Sequence, residues 1–89
     1  MIEFDPAKRL WTLENRGLDF ARVDQLFAGR HLTRLDDRGD YGEERFINAG
    51  YMDGRLVLVA WTSRGANRRI ISMKKANDRE KNAFANHCR

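Results

Sequence analysis

Residues 53–62 read Asp-Gly-Arg-Leu-Val-Leu-Val-Ala-Trp-Thr, and this stretch limits the fold more than any other. Asp-Gly is a strong signal for a two-residue hairpin turn, whose central positions need positive φ. The run after it, residues 55–62, is apolar at successive rather than alternate positions and rich in β-branched and aromatic side chains. That pattern predicts a central strand covered on both faces. Such a strand needs a hydrogen-bonded neighbour on each edge and a packed layer on each side, and the rest of the chain must supply them.

Residues 45–52 read as the strand before the hairpin, and residues 68–75 as the last strand, reached through a turn at 63–67. His31–Leu35 reads as a further strand, separated from 45–52 by a charged, glycine-containing loop at 36–44, and Ile2–Phe4 as a short opening strand. Asp5-Pro6 reads as a helix start, with Asp as the cap and Pro in the first turn. Ala7, Leu10 and Leu13, with Trp11, then form an apolar stripe of helical period, and Gly17 supplies the stop. A second helix is expected after Asp19, with Phe20, Val23, Leu26 and Phe27 on one face and Gly29 at its end. Asn77 caps a closing helix, with Glu80 as the other half of a capping-box pair. The expected fold class is α+β: an antiparallel meander packed, mostly on one face, by two N-terminal helices and one C-terminal helix. The 89 residues suffice for one domain, spanning 1–89.

Charged residues make up 34% of the chain and the net charge is +4, with arginine far outnumbering lysine. A basic, arginine-rich surface favours a polyanionic partner, because the planar guanidinium pairs with phosphate through two parallel hydrogen bonds. No run approaches the roughly 20 apolar residues of a spanning helix, and the start lacks the pattern of a secretory signal, so a cytoplasmic protein is expected. Cys88 is the only cysteine, which excludes an internal disulfide and a multi-thiolate metal site. Asp36, Asp37 and Asp40 lack the spacing of a calcium loop and read as a solvated segment. No cofactor motif appears. His31 and His87 are not placed together by anything in the sequence. Trp61 reads as core, and Tyr41, in a polar loop, is left open.

The last strand carries the most chemistry. Simple alternation puts Ile71 and Met73 on one face and Ile70, Ser72 and Lys74 on the other. Arg68 adds to the second, polar set. Arg45 and Arg55 open two other strands, while Arg64 and Arg69 bracket the final hairpin and should meet at one end of the sheet. Such a cluster suits RNA phosphate. Spacing alone favours arginines that only solvate the sheet edge.

Four segments, in order, resemble the BrnT toxin family. They are residues 3–20 (EFDPAKRLWTLENRGLDF), the GEER strand start at 42–45, the DGR hairpin with the TSRG turn, and residues 68–81 (RRIISMKKANDREK). The resemblance implies a RelE-like fold and a metal-independent ribonuclease toxin of a type II toxin–antitoxin pair. It also implies a BrnA-like ribbon-helix-helix antitoxin, two copies of each chain in the complex, and operator DNA bound through the antitoxin. Under it, Arg64, Arg69, Lys74 and Arg45 form the catalytic group, and Lys8, Arg16, Arg68 and Ser72 bind substrate. Four positions depart from the pattern. Phe4 replaces a Trp, Met73 an Ala, and Asn15-Arg16 the usual Lys-His before Gly17. An arginine cannot act as a base at neutral pH. The alternative is therefore a non-catalytic or decayed toxin that binds nucleic acid or antitoxin in operon regulation; a purely protein-binding adaptor is a third class.

Overall fold

The computed structural model describes residues 1–87. Cys88 lies outside the described residues. The chain runs β1 (Ile2–Phe4), α1 (Pro6–Arg16), a 3-10 turn (Phe20–Arg22), α2 (Asp24–Ala28), β2 (His31–Leu35), β3 (Phe46–Met52), β4 (Arg55–Arg64), β5 (Asn67–Lys75) and α3 (Asp78–His87). The five strands form one sheet in the order β1-β5-β4-β3-β2. The stretch from residue 55 is the central strand, as its composition requires. Asp53 and Gly54 both have positive φ, at 51° and 76°, which makes the turn before it a tight two-residue hairpin.

The sheet is mixed, which corrects the expectation of an antiparallel meander. β1 runs parallel to β5, with the Arg68 N–H donating to the Met1 carbonyl at 2.9 Å. Asp5-Pro6 turns the chain straight into α1, so β1 has no hairpin partner and fills the free edge of β5 instead. The turn expected at 63–67 is also shorter: Ser63 and Arg64 belong to β4, and Arg64 pairs directly with Asn67.

A second correction concerns the faces of β5. Trp61 lies opposite Ile70 and Ala60 opposite Ser72, so Ile71 is the extra residue of a bulge. The bulge shifts the alternation by one. Ile70 and Met73, each 1% exposed, therefore enter the same core, while Ser72 and Lys74 remain together on the other face.

The main core lies between the sheet and the first two helices. Phe20, Val23 and Leu26 pack with Val57, Val59, Ile70 and Met73, and Phe4, Phe27 and Trp61 close its margin. The expected second helix is broken. Asp19 accepts from the Ala21 N–H at 2.9 Å and starts a 3-10 turn, and α2 begins afresh at Asp24. α3 lies on the opposite face, where Phe84 and Ala76 meet Leu56. The helices therefore cover both faces, not mostly one. The Asn77–Glu80 capping pair forms as expected, through reciprocal hydrogen bonds of 2.9 and 2.8 Å.

α1 starts and stops where the sequence indicates. Asp5 accepts from the Ala7 N–H, and Gly17, at φ 67°, donates to the Leu13 carbonyl. Its apolar stripe faces outward, however: Leu10 is 57% exposed, Trp11 53% and Leu13 42%. The inward positions are Arg9, Thr12 and Arg16, three and four residues apart. Arg9 is held by both oxygens of Asp19, at 2.7 and 3.1 Å. Arg16 donates to the Met73 carbonyl at 2.6 Å. Long cationic side chains can lie along an apolar surface on their stems when their heads find such partners.

Where α2 crosses β3, Gly50 permits close approach. A Cβ there would come within 2.8 Å of Leu26 Cγ and 3.1 Å of His31 Cβ. Gly50→Ala is expected to lose about 1–3 kcal/mol by overpacking, read from urea unfolding midpoints at constant slope.

Acid should unfold the protein through its paired carboxylates. A hydrogen bond from Arg9 holds Asp19 below its ordinary value, one from Arg38 does the same for Asp36, and one from Asn67 does so for Glu3. Groups depressed in the folded state add stability that is complete above their unfolded pKa of about 4 and lost as pH falls through the folded values. Thermal midpoints should be level from neutral pH to about 5 and drop steeply below about 4. A flat profile down to pH 3 would contradict this assignment.

Candidate active site

β-sheet alternation and the bulge sort the expected site residues onto two faces. Arg64, Arg69, Ser72 and Lys74 occupy the face that also carries α3, together with Thr62, Asn67 and Glu3. Arg68, Arg16 and Lys8 lie on the side of α1 and α2.

Three guanidiniums and two carboxylates meet at one end of the first face. The loop 36–45 folds back over this end: Thr62 Oγ1 donates to the Glu44 carbonyl at 2.6 Å, and the Asp36 N–H to the Arg45 carbonyl at 2.7 Å. These two bonds place Glu43 between two arginines. Arg64 Nη2 donates to Glu43 Oε1 at 3.3 Å, and Arg45 Nε lies 3.5 Å from Glu43 Oε2. Arg45 also stacks on Tyr41, its guanidinium carbon 3.9 Å from the ring centre. Arg45 Nε is buried and makes no hydrogen bond among the described residues. Beside this group, Glu3 accepts from Asn67 at 2.9 Å and Arg69 at 3.4 Å. The Asn67 hydrogen bond, with the charges of Arg69 and Arg64, keeps Glu3 ionised to lower pH than usual. Arg64 and Arg69 thus share one electrostatic neighbourhood, as their places around the hairpin suggested.

The other expected residues lie apart. Lys74 is five residues beyond Arg69, ~15 Å along the strand, and pairs with Glu80 of α3 at 3.2 Å. Ser72 is exposed on the strand between them. Across the sheet, Arg68 covers the rings of Phe27 and Trp61, at 4.1 and 5.2 Å. Arg16, besides its bond to Met73, lies over the Trp11 ring at 5.1 Å. Lys8 is exposed on α1.

Sequence reasoning passed over the two carboxylates. Glu43 lies in the loop before β3, outside any strand, and only the folding of that loop over the end of the sheet brings it to Arg64. Glu3 was not legible, because only the parallel pairing of β1 with β5 brings it to Arg69. Nor was the network around Asn48. This side chain, 1% exposed, accepts from the Trp61 indole N–H at 2.7 Å and donates to Thr33 Oγ1 at 2.9 Å. Since the indole can only donate, its bond fixes the Asn48 amide orientation. The amide nitrogen then donates to His31 Nδ1 at 2.7 Å, which puts the ring proton on Nε2. The histidine is thus drawn into a structural network on the α2 side, away from the arginine cluster.

Among the described residues no group of three or more His, Cys, Asp or Glu is placed to hold a metal ion. No helix there is long and apolar enough to cross a membrane.

Fold and cluster together define a small basic α+β protein with guanidiniums and carboxylates grouped at one end of a mixed sheet. A family model described as "Ribonuclease toxin, BrnT, of type II toxin-antitoxin system" matches residues 4–80. The chain belongs to this family. No curated protein matches it.

Proposed function

We propose that this protein is a RelE-like endoribonuclease that cleaves RNA without a metal at the Arg45–Glu43–Arg64 cluster. The observation that supports this reading is a carboxylate held between two guanidiniums on an exposed sheet face, in a chain of a ribonuclease toxin family. The RNA 2′-oxygen attacks the adjacent phosphorus as Glu43 accepts the 2′-hydroxyl proton. The bond from phosphorus to the 5′-oxygen breaks, and the departing oxygen takes a proton from water. The products are a 2′,3′-cyclic phosphate and a 5′-hydroxyl. Arg45 and Arg64 stabilise the extra charge on the phosphoryl oxygens in the transition state, a role for fixed cations in a partly desolvated site. Arg69, oriented by Glu3, adds a third cation. Ser72 and Lys74 extend the face along which the flanking RNA backbone runs. Lys8, Arg16 and Arg68, on the other side of the sheet, lie outside this path.

The wider role that follows is inhibition of translation and growth in the cytoplasm. A BrnA-like ribbon-helix-helix antitoxin would neutralise the toxin in a complex of two and two and carry the DNA contacts. The test is incubation of purified protein with RNA in excess EDTA. Cleavage leaving cyclic phosphate ends is expected, and Glu43→Gln should slow it at least tenfold while RNA binding at low salt persists. RNA that is bound but never cut, by wild type as by the variant, would favour the decayed toxin acting as a binding module. The replacement of the usual histidine by Arg16, tied to the Met73 carbonyl, is the feature that supports that second reading.

A further inference from the structure

Among the described residues β2 is an edge strand, paired only with β3. The phase of its hydrogen bonds follows from the Asp36 N–H, which donates to the Arg45 carbonyl. Bonded and non-bonded positions alternate along an antiparallel pair. Leu32 and Arg34 therefore direct their backbone groups into β3, while His31, Thr33 and Leu35 direct theirs outward. Among the described residues no backbone bond is made to that outer side. An open edge of this kind is a template for another strand.

A cleft of about 390 Å³ lies beside this edge, between α3 and the sheet. Its walls are apolar, formed chiefly by Leu32, Ile47, Ala49, Leu58 and Phe84, and Arg34, Arg79 and His87 stand in its lining. Among the described residues the one carboxylate in its lining, Glu80, is already engaged by Lys74 and by the Asn77 N–H. The surface therefore offers outward backbone groups, an apolar slot and a basic rim within one continuous patch.

We propose that the β2 edge and the cleft under α3 form the docking surface for an extended acidic segment of the antitoxin. The segment adds a strand to β2, places alternate apolar side chains in the cleft, and sets carboxylates against Arg34 and Arg79. A second copy of this chain suits the surface poorly, because it would bring two basic rims together. An occupant of β2 ends beside Asp36 and hence beside the loop carrying Glu43 and Arg45, which gives it a means of silencing the cluster. The proposal rests on the family's antitoxin partnership and not on the cleavage mechanism.

Amide hydrogen exchange on the chain alone and in its purified complex with the cognate antitoxin tests it. The amides of His31, Thr33 and Leu35 should exchange at least tenfold more slowly in the complex. Unchanged exchange at all three in a complex that forms would overturn the proposal. Two variants separate docking from folding. Leu35→Pro removes an outward donor at an edge position, where proline is tolerated, and Arg34→Glu with Arg79→Glu reverses the rim. Each should weaken antitoxin binding at least tenfold while circular dichroism and thermal midpoint stay near the parent's. Affinities within twofold of the parent, or a dimer of the chain alone that Leu35→Pro abolishes, would refute it. RNA cleavage by the charge-reversed variant should match the parent, so failure of the cleavage mechanism and failure of docking give different results.

Discussion

Arg64→Ala is expected to slow RNA cleavage by about 10²–10³-fold, the loss that follows removal of one fixed donor to a transition-state oxygen. Arg64 stands at the end of β4, half exposed, with Nη2 on Glu43. The substitution removes two things at once: a cation facing the phosphoryl group, and one of the two partners that hold Glu43 in place. The turnover number should fall more than the RNA affinity, because other cations on the face still grip the backbone. Arg64→Lys keeps the charge but loses the forked geometry, and should recover only part of the rate. Arg16→Ala is the contrast. It loses the bond to the Met73 carbonyl and the stacking on Trp11, so its effect should appear in stability and leave turnover nearly untouched. Single-turnover cleavage of a labelled RNA under EDTA measures all three. Equal rates for Arg64→Ala and wild type would remove the arginine cluster from the chemistry.

Phe20→Ala should be the most damaging core substitution, at about 3–5 kcal/mol. Phe20 is fully buried, in the cluster with Val23, Leu26, Val57 and Val59. Its ring meets Phe4 edge to face, with centroids 5.9 Å apart. The surroundings cannot collapse into the space, because the sheet backbone fixes one wall. A domain of this size has only about 5–15 kcal/mol in total, and each kcal/mol shifts the midpoint by about 4–8 °C. A fall of the order of 15–30 °C is therefore expected in a thermal melt. The damage should also reach the site, since β1 is held by Phe4 on one side and offers Glu3 to Arg69 on the other. A loss below about 1 kcal/mol would show that the core is not organised around this ring.

Local chemistry made much of the fold legible. Asp5-Pro6 and Gly17 bound α1, Asn77 and Glu80 start α3, and Asp53-Gly54 turns β3 into β4, because each acts through backbone groups a few residues away. The apolar run from residue 56 announced the centre of the sheet because a strand apolar at successive positions must be covered on both faces. Long-range features were not legible. The bulge at Ile71 carried Ile70 from the face expected for it to the face of Met73, and nothing local in RRIISM marks it. The stripe Ala7, Leu10, Trp11 and Leu13 has the period of a buried face. It lost that place to Arg9, Thr12 and Arg16 because Asp19, just past the end of the helix, and the Met73 carbonyl, distant in sequence, supply partners for the two guanidiniums.

The candidate site divides along the same line. Arg64 and Arg69 could be paired from sequence because a short hairpin joins them. Glu3 could not be found without the parallel β1–β5 pairing, nor could the separation of Arg68 and Arg16 from the cluster be seen before the sheet had two covered faces. The sequence by itself determined the caps and turns that bound α1, α3 and the β3–β4 hairpin, which strand is central and that the chain carries surplus arginine. Beyond the Arg64–Arg69 pair, only the tertiary structure decided which arginines meet, because that depends on strand order, register and one extra residue in β5. A change of one residue in register carries a side chain to the opposite face of a sheet, and no local pattern encodes it.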